Sequence, residues 1–124
     1  QPTTYPGARI PHVWVYDKQG KKYSTLDLCG QGNFSIFTGI GGINWVNAAK
    51  TIEQDLGIQI ICNVIGPDQD YEDHVGEWAD AREINDSGMI LVRPDQHVCW
   101  RSKSMNSDAV LKLKDVMKKI LHKG

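Results

Sequence analysis

The sequence predicts an α/β domain in which a central mixed β-sheet is flanked by helices, and three observations predict it. Residues 44–56 repeat their apolar side chains with the period of an α-helix, and residues 58–65 form an almost continuous apolar run typical of a strand buried within a sheet. Residues 89–101 contain two apolar stretches separated by a turn around Pro94. With 124 residues and 40% hydrophobic content, the chain has the length of one domain, residues 1–124, and enough apolar side chains for a core.

The N-terminal third is predicted to hold an extended arm and a β-hairpin. Residues 1–11 carry three of the five prolines, and proline disrupts both helices and central strands. Residues 12–16 alternate as a strand does, and residues 23–28 are predicted to return as a second strand after a turn at 17–20. Residues 34–38 are predicted to form a short third strand, the first strand of the central sheet.

The middle of the chain is predicted to contain two helices on either side of a strand. The helix at 44–56 can use Asn44 as its N-cap and Gly57 as the residue that ends it. Residues 58–65 are predicted to be a central strand covered on both faces. Residues 68–83 are predicted to form the second helix, whose inward-facing side chains would be Tyr71, Val75 and Trp78.

The C-terminal third is predicted to contain two antiparallel strands and a helix. The strands are 89–92 and 97–101, and the helix at 108–123 shows the clearest amphipathic pattern of the chain. The order hairpin, β, α, β, α, β, β, α, with a right-handed parallel crossover between the first two core strands, is the thioredoxin topology. The apolar stripe of the last helix is predicted to contain Val110, Leu113, Met117, Ile120 and Leu121.

The cysteines do not match the chemistry usual for that topology. A thioredoxin places Cys-x-x-Cys where its first core helix begins, because the helix N-terminus stabilises the thiolate. Here residues 39–44 contain no cysteine, and no proline directly precedes the strand 89–92. Cys29, Cys62 and Cys99 are 33 and 37 positions apart, a spacing that predicts neither a disulfide framework nor a zinc site. We therefore expect free thiols in a reducing compartment, and no catalytic or metal-binding residues.

Other candidate sites have a simpler interpretation in each case. Gly39-x-Gly41-Gly42 lacks the third glycine of a dinucleotide fingerprint and is best explained as a conformationally permissive loop. His97 and Cys99 are two positions apart on one strand and are predicted to share a face. A dyad or a metal pair there stays open, although a surface histidine beside a small residue is the simpler explanation. The four tryptophans are predicted to belong to the core: Trp14, Trp45, Trp78 and Trp100.

The charge balance excludes one class of partner, and the hydropathy pattern excludes another. Fourteen Lys and Arg residues face fifteen Asp and Glu residues, which gives a formal net charge of −1. Proteins that neutralise nucleic-acid phosphates usually show a clear basic excess, so we expect no nucleic-acid partner. The sequence has no apolar run of about 20 residues, so we expect no membrane-spanning segment.

Three segments together resemble one known family. Residues 89–101 read MILVRPDQHVCWR and are similar to a family signature LVRPDGHVAWR. Residues 2–14 read PTTYPGARIPHVW and are similar to PTTRPGARLPHAWL, and residues 24–30 read STLDLCG and are similar to STLDLFG. The segments occur in the family's order and extend over essentially the whole chain. The chain therefore resembles the C-terminal part of FAD-dependent aromatic hydroxylases of the phenol 2-monooxygenase and 2,4-dichlorophenol 6-monooxygenase type, although Cys29, Gln96 and Cys99 depart from these signatures.

This resemblance implies a thioredoxin-like domain without redox cysteines, which supports a larger enzyme and is not catalytic alone. The full-length enzyme would use FAD and NAD(P)H to hydroxylate a phenol, while this domain would bind neither cofactor. Its partners would be the FAD and substrate domains of its own chain and, in a homodimer, a second copy. Residues 1–11 would lead in from the catalytic domains, the first residue Gln1 fits an excised domain, and the enzyme would be cytoplasmic. The residues that the signatures assign to structural or interface roles are Pro11, His12, Trp14, Asp27, Arg93, Pro94, Asp95, Trp100 and Arg101.

Two alternatives remain open at the level of sequence. One is a divergent thioredoxin-like oxidoreductase that uses Cys29 or Cys99, which would require a thiol with a lowered pKa. The other is a free-standing module that binds a small molecule or a protein partner.

Overall fold

A four-stranded mixed sheet lies at the centre of the protein, and a two-stranded hairpin precedes it. The computed structural model describes residues 3–29, 31–105 and 107–123. None of the helices in these ranges has the length and hydropathy needed to cross a bilayer. The elements follow in the order β1 (Trp14–Tyr16), β2 (Lys22–Ser24), a 3₁₀ turn (Thr25–Leu28), β3 (Phe34–Thr38), α1 (Ile43–Leu56), β4 (Ile60–Val64), α2 (Glu77–Ala81), β5 (Met89–Val92), β6 (Val98–Ser102) and α3 (Ala109–Lys123).

The central sheet has the strand order β4–β3–β5–β6. β3 and β4 are parallel, whereas β5 runs antiparallel to both β3 and β6. This is the thioredoxin arrangement that the sequence predicts. The core strands at 34–38 and 89–92 have the predicted bounds, and α1 ends as predicted at Gly57, whose φ of 67° is left-handed.

Two hydrophobic cores lie on opposite faces of this sheet. On one face α1 and α3 pack against apolar side chains of β3 and β5 around the buried Trp45, Leu113 and Met117. On the other face the hairpin, the arm and α2 surround Phe37 and Trp78. β3 and β5 are the interior strands of the sheet, and each has buried side chains on both faces.

The prediction that 58–65 is a central strand is wrong, because β4 lies at the edge of the sheet. Two of its amides on the open side are bound by side chains instead of a neighbouring strand. Ile60 N donates to Glu53 Oε2 over 2.7 Å, and Val64 N donates to Asp70 Oδ2 over 3.3 Å. Carboxylates at an open edge also discourage pairing with another chain, which explains how an apolar strand can occupy this position.

The predicted strand 23–28 is correct only as far as Ser24. The next four residues form a 3₁₀ turn closed by a capping box. Ser24 Oγ accepts from Leu26 N over 3.1 Å, and Asp27 Oδ2 accepts from Ser24 N over 3.0 Å. The alternation of side chains did not reveal this, because Ser-x-x-Asp is compatible with either structure. Asn44 is also not the N-cap of α1, because the helix begins one residue earlier and is preceded by Gly42.

The predicted helix 68–83 is reduced to the five residues of α2. Asp68, Gly76 and Glu83 have φ of 64°, 78° and 59°, and left-handed residues cannot continue a right-handed helix. Trp78 faces inward as predicted, whereas Val75 is 76% exposed.

Candidate functional site

The loop before α1, where thioredoxins carry their thiols, is closed by the loop before β5. Gly41 N donates to Asp86 O over 3.0 Å. A Cβ atom at Gly39 would lie 2.6 Å from the same carbonyl oxygen, so the two backbones approach as closely as only glycine allows. Two side chains continue this contact. Thr38 Oγ1 donates to Gly88 O over 2.5 Å, and Trp45 Nε1 donates to Ser87 O over 3.0 Å.

This closed junction determines what the start of α1 can do. A phosphate cradle needs free amides at a helix N-terminus, but the amide of Gly41 is bound to Asp86 O and the amide of Gly42 is bound to Gly39 O. The residues of this loop therefore do not fit the pyrophosphate of a dinucleotide. The glycines serve the contact between two loops of the same chain.

The three thiols are held in their neutral form. Burial raises the pKa of Cys29, Cys62 and Cys99 to about 11 in each case. Each is a free cysteine, and Cys29 Sγ donates to Thr25 O over 3.5 Å. These environments are opposite to those of reactive cysteines, which have a lowered pKa. Within the residues that the structure describes, no group of three His, Cys, Asp or Glu side chains could hold a metal ion.

A β-bulge separates the two residues that were predicted to share a face. Val92 pairs with Val98, but the preceding Leu91 pairs with Trp100, so that Cys99 is an extra residue in β6. Val98 therefore packs in the core under the hairpin, whereas Trp100 packs in the core under α1 and α3. Side chains do not alternate strictly across this bulge. The spacing of two between His97 and Cys99 therefore does not show that they share a face.

The N-terminal arm runs antiparallel to residues 96–98, at the start of β6. Gly7 N donates to Val98 O over 2.7 Å, Val98 N donates to Ala8 O over 2.8 Å, and Ile10 N donates to Gln96 O over 2.8 Å. The arm thereby covers the beginning of this edge strand. Residues 3–11, the described part of the predicted arm, contain a turn in which Ala8 N donates to Tyr5 O over 3.0 Å, and residues 1 and 2 lie outside the described residues.

The beginning of the arm is bound by a cluster that we call the arm latch: Thr3, Thr4, Glu83 and Arg101. Glu83 Oε1 accepts from Thr3 Oγ1 over 2.6 Å, from Thr4 N over 3.0 Å and from Arg101 Nη1 over 2.8 Å. Arg101 Nη1 also donates to Thr4 Oγ1 over 2.9 Å. The hydrogen bonds from Thr3, Thr4 and Arg101, in that order of weight, lower the pKa of Glu83 to about 2. The latch thus joins three distant segments through one carboxylate oxygen.

The turn between β5 and β6 contains three of the signature residues. Arg93 and Asp95 form a two-point ion pair, with Nε–Oδ1 at 3.2 Å and Nη2–Oδ2 at 2.9 Å. The hydrogen bond from Arg93 is the main reason that the pKa of Asp95 is lowered. Gln96 stands where the family signature has glycine, and its φ of 71° is left-handed. Pro94, between the paired residues, is exposed on the rim of a groove of about 700 Å³, which is otherwise lined by Gly7, Phe34, Arg93, Val98, Cys99, Ile120 and Leu121.

Two further signature residues, the buried Pro11 and the exposed Asp27, support the end of the hairpin through hydrogen bonds. Pro11 O accepts from Thr25 Oγ1 over 2.6 Å, and Thr25 Oγ1 accepts from Val13 N over 3.1 Å. Asp27 completes the capping box described above. Trp100 makes an edge-to-face contact with Trp45, with ring centroids 5.8 Å apart.

The remaining two signature residues point away from the core. His12 is exposed, and Trp14 is 40% exposed, so the prediction that Trp14 belongs to the core is wrong. Val13 and Val15, the residues next to Trp14, face the core instead. The period of two places the intervening side chains on the outer face of β1.

The sequence pattern does not reveal the partners that give Arg101 its role. Thr3 and Thr4 belong to the matched signature, but no local pattern connects them to Glu83, which lies in an acidic segment that reads as a solvated helix face. The missing signal is backbone conformation: Glu83 adopts a left-handed φ, which aims its carboxylate at the arm and ends the helical segment.

Comparison with known proteins finds similarity to one family and to several of its members. A family model described as "Aromatic-ring hydroxylase, C-terminal" matches residues 3–123. The 2,4-dichlorophenol 6-monooxygenase of Cupriavidus pinatubonensis (strain JMP 134 / LMG 1197) is 51% identical over 122 residues, which are 98% of this chain and 20% of that protein. The phenol 2-monooxygenase of Pseudomonas sp. (strain EST1001) is 44% identical over 117 residues, 94% of this chain and 19% of that protein.

Two solved structures share the fold closely. The flavin-dependent monooxygenase PieE, in complex with FAD and substrate, matches with a TM-score of 0.89 and 40% identity over 100% of this chain and 21% of that chain. A ternary complex of aklavinone-11 hydroxylase with FAD and aklavinone matches with a TM-score of 0.88 and 33% identity over 98% of this chain and 22% of that chain. The chain thus spans about one fifth of the length of these relatives.

Proposed function

The chain belongs to the family of C-terminal domains of aromatic-ring hydroxylases, and we propose that it supports an FAD-dependent enzyme that hydroxylates phenolic rings. The observation that carries this proposal is the match of residues 3–123 to a family whose members are about five times longer than this chain. The phenolic substrate is proposed because the relatives at 51% and 44% identity are named for dichlorophenol and phenol.

In this proposal the chemistry belongs to the rest of the enzyme. FAD, a reduced nicotinamide cofactor and the phenol would bind in the preceding domains. The closed junction before α1 supports this division, because it does not fit the phosphates of a dinucleotide. The raised pKa values of the three thiols argue against the oxidoreductase alternative, which needs a thiolate near neutral pH.

The role of this domain would be to hold the enzyme together. The arm latch fixes Thr3 and Thr4 against β6, so the segment that leads in from the catalytic domains would leave the domain in a defined direction. We further propose a homodimer to which this domain contributes, and a cytoplasmic location, where free thiols and reduced nicotinamides are maintained.

The test is to express the complete reading frame that contains this sequence. The expected product carries FAD, consumes NADPH or NADH in the presence of 2,4-dichlorophenol or phenol, and releases the ring-hydroxylated product. A variant that ends before residue 12 is expected to lose flavin or to aggregate, because its partner surface is removed. A frame that encodes no flavin-binding part, or a product without flavin, would contradict the proposal and favour the free-standing module.

A further inference from the structure

The outer face of the hairpin, together with His74 from the segment before α2, carries an ordered row of aromatic and basic side chains. We call it the hairpin face: His12, Trp14, Tyr16, Lys22 and His74. Because Val13 and Val15 are committed to the core, the side chains between and beside them point outward. None of these five side chains belongs to the hydrophobic core beneath the hairpin.

The side chains of the hairpin face hold each other in place. The rings of His12 and Trp14 meet edge to face, with centroids 4.6 Å apart, and Lys22 Nζ lies 4.3 Å from the centroid of Trp14. His12 Nδ1 lies 2.6 Å from Ser24 Oγ. Tyr16 and His74 stack with centroids 4.0 Å apart and planes 6° from parallel. Because these rings are already ordered, a partner that covers them loses little side-chain entropy.

The hairpin face and the start of the arm lie in the same region. β1 packs against α2, and Glu83, which binds the start of the arm, follows α2 by two residues. The hairpin and α2 cover the sheet face opposite to α1 and α3. A domain that precedes Thr3 is therefore attached beside this side of the molecule.

The charge of the hairpin indicates what would complement it. Lys18 and Lys21 lie with Lys22 on the hairpin, and all three are exposed or partly exposed. The acidic group of the turn, Asp17, is occupied by Gln19 N and Lys21 N, each over 2.9 Å. The Glu72 carboxylate lies 3.7 Å from His74 Nε2. An apolar surface bordered by carboxylates would cover the indole and pair with the lysines.

We infer that the hairpin face docks onto an apolar, acid-bordered surface of the catalytic part of the same polypeptide. This inference rests on the proposed function, since it requires a longer chain, about four fifths of which lies outside these residues in the relatives. His12 and Trp14 belong to the matched signature, yet their side chains are exposed in this domain. Docking gives both residues a use that the isolated fold does not.

The experiment uses the full-length flavoprotein and hydrogen exchange measured by mass spectrometry. Trp14→Ser removes the indole, and Lys22→Glu reverses the charge without touching the core. The matched controls are Leu111→Ser and Lys112→Glu, because both residues are exposed on α3, on the opposite side of the sheet. We expect both hairpin variants to make a discrete set of peptides in the catalytic part exchange about tenfold faster, whereas the control variants leave those peptides unchanged.

The readout outside this domain separates docking from a local effect. If exchange rises only within residues 12–24, the hairpin face is structural and the inference is overturned. If the protected peptides depend on protein concentration and the variants shift a dimer to monomer, a second copy is the occupant and the inference is also overturned. A reading frame without a flavin-binding part would remove the proposed function together with the docking, before any variant is made.

Discussion

Arg101 and Glu83 form an ion pair whose carboxylate oxygen also holds the N-terminal arm. Arg101 Nη1 lies 2.8 Å from Glu83 Oε1, and the same oxygen accepts from Thr3 Oγ1 and Thr4 N. The ring of Tyr5 lies 5.5 Å from the guanidinium carbon and covers it from the arm side. One charged pair therefore connects β6, the segment after α2 and the arm.

The arm latch predicts a pH dependence of arm binding. The pKa of Glu83 is about 2 in the folded protein, against an ordinary value of 4.5. A lowered folded pKa means that the stabilisation is fully present above pH 4.5 and is lost as the pH falls from 4.5 towards 2. We expect hydrogen exchange at the Thr4 amide, corrected for its intrinsic rate, to accelerate across this window. Glu83→Gln should show fast exchange at pH 7 and little change with pH.

The control for this prediction is Glu77→Gln, an exposed acid at the start of α2. It removes a charge from the same region without touching the arm, so exchange at Thr4 should keep the pH dependence of the parent protein. An arm that exchanges equally in the parent and in Glu83→Gln at pH 7 would show that the backbone bonds to β6 hold it without the latch.

The closed junction predicts that a side chain at Gly39 destabilises the fold. A Cβ atom there would lie 2.6 Å from Asp86 O, which is backbone and cannot move aside alone. We expect Gly39→Ala to lower the free energy of unfolding by about 1–3 kcal/mol, the usual cost of overpacking. The matched control is Gly66→Ala, whose Cβ would meet its nearest neighbour at an ordinary 3.5 Å. Urea unfolding should show Gly66→Ala within about 1 kcal/mol of the parent protein, and an equal loss in both variants would contradict the argument.

The elements with strong local signals were predictable from the sequence. α1 repeats Trp45, Ala48, Ala49 and Ile52 on one face, and the structure buries all four. β3 and β5 are short apolar runs between glycines or turns, and both have the expected bounds. In these segments the local preference and the tertiary packing agree, so the sequence pattern alone predicts the element correctly.

The wrong helix prediction at 68–83 has a physical cause, which is backbone conformation that residue type does not determine. Asp68, Glu83 and Gln96 are left-handed without being glycine, and each ends or redirects an element. Such conformations persist where neighbours hold them, as Thr4 and Arg101 hold Glu83. Those neighbours are 79 and 18 residues away in the chain, beyond the range of any local pattern.

The same limit applies to the candidate site. The signatures indicate that Arg101 and Trp14 have a structural or interface role. Only the structure shows that Arg101 binds the arm and that Trp14 faces outward. A single sequence does not record which side of β1 faces the core, because the strand is apolar at Val13, Trp14 and Val15 alike. The fold shows that Val13 and Val15 face the core, so the side chain between them faces outward.

The left-handed conformation of Gln96 predicts different stabilities for two variants at this position. Its side chain accepts from Arg9 Nη2 over 2.7 Å and donates from Nε2 to Leu26 O over 3.0 Å. Gln96→Ala loses both hydrogen bonds and keeps the strained φ of 71°, whereas Gln96→Gly loses the bonds but relieves the strain. We expect Gln96→Ala to be the less stable of the two by about 1 kcal/mol in urea unfolding. Equal stabilities would mean that the turn relaxes when the side chain is removed.

The raised pKa values of the three thiols predict slow alkylation. At pH 8 a thiol with a pKa of about 11 is about 0.1% thiolate, whereas a thiol with the ordinary value of 9.0 is about 9% thiolate, so each cysteine should react about 100-fold more slowly than in the unfolded chain. Iodoacetamide labelling followed by peptide mass spectrometry measures each site separately. Cys29→Ser provides the control, because it should leave the rates at Cys62 and Cys99 unchanged. Rapid labelling of Cys29 or Cys99 in the folded protein would contradict the burial argument and reopen the oxidoreductase alternative, since thiol–disulfide exchange requires an accessible thiolate.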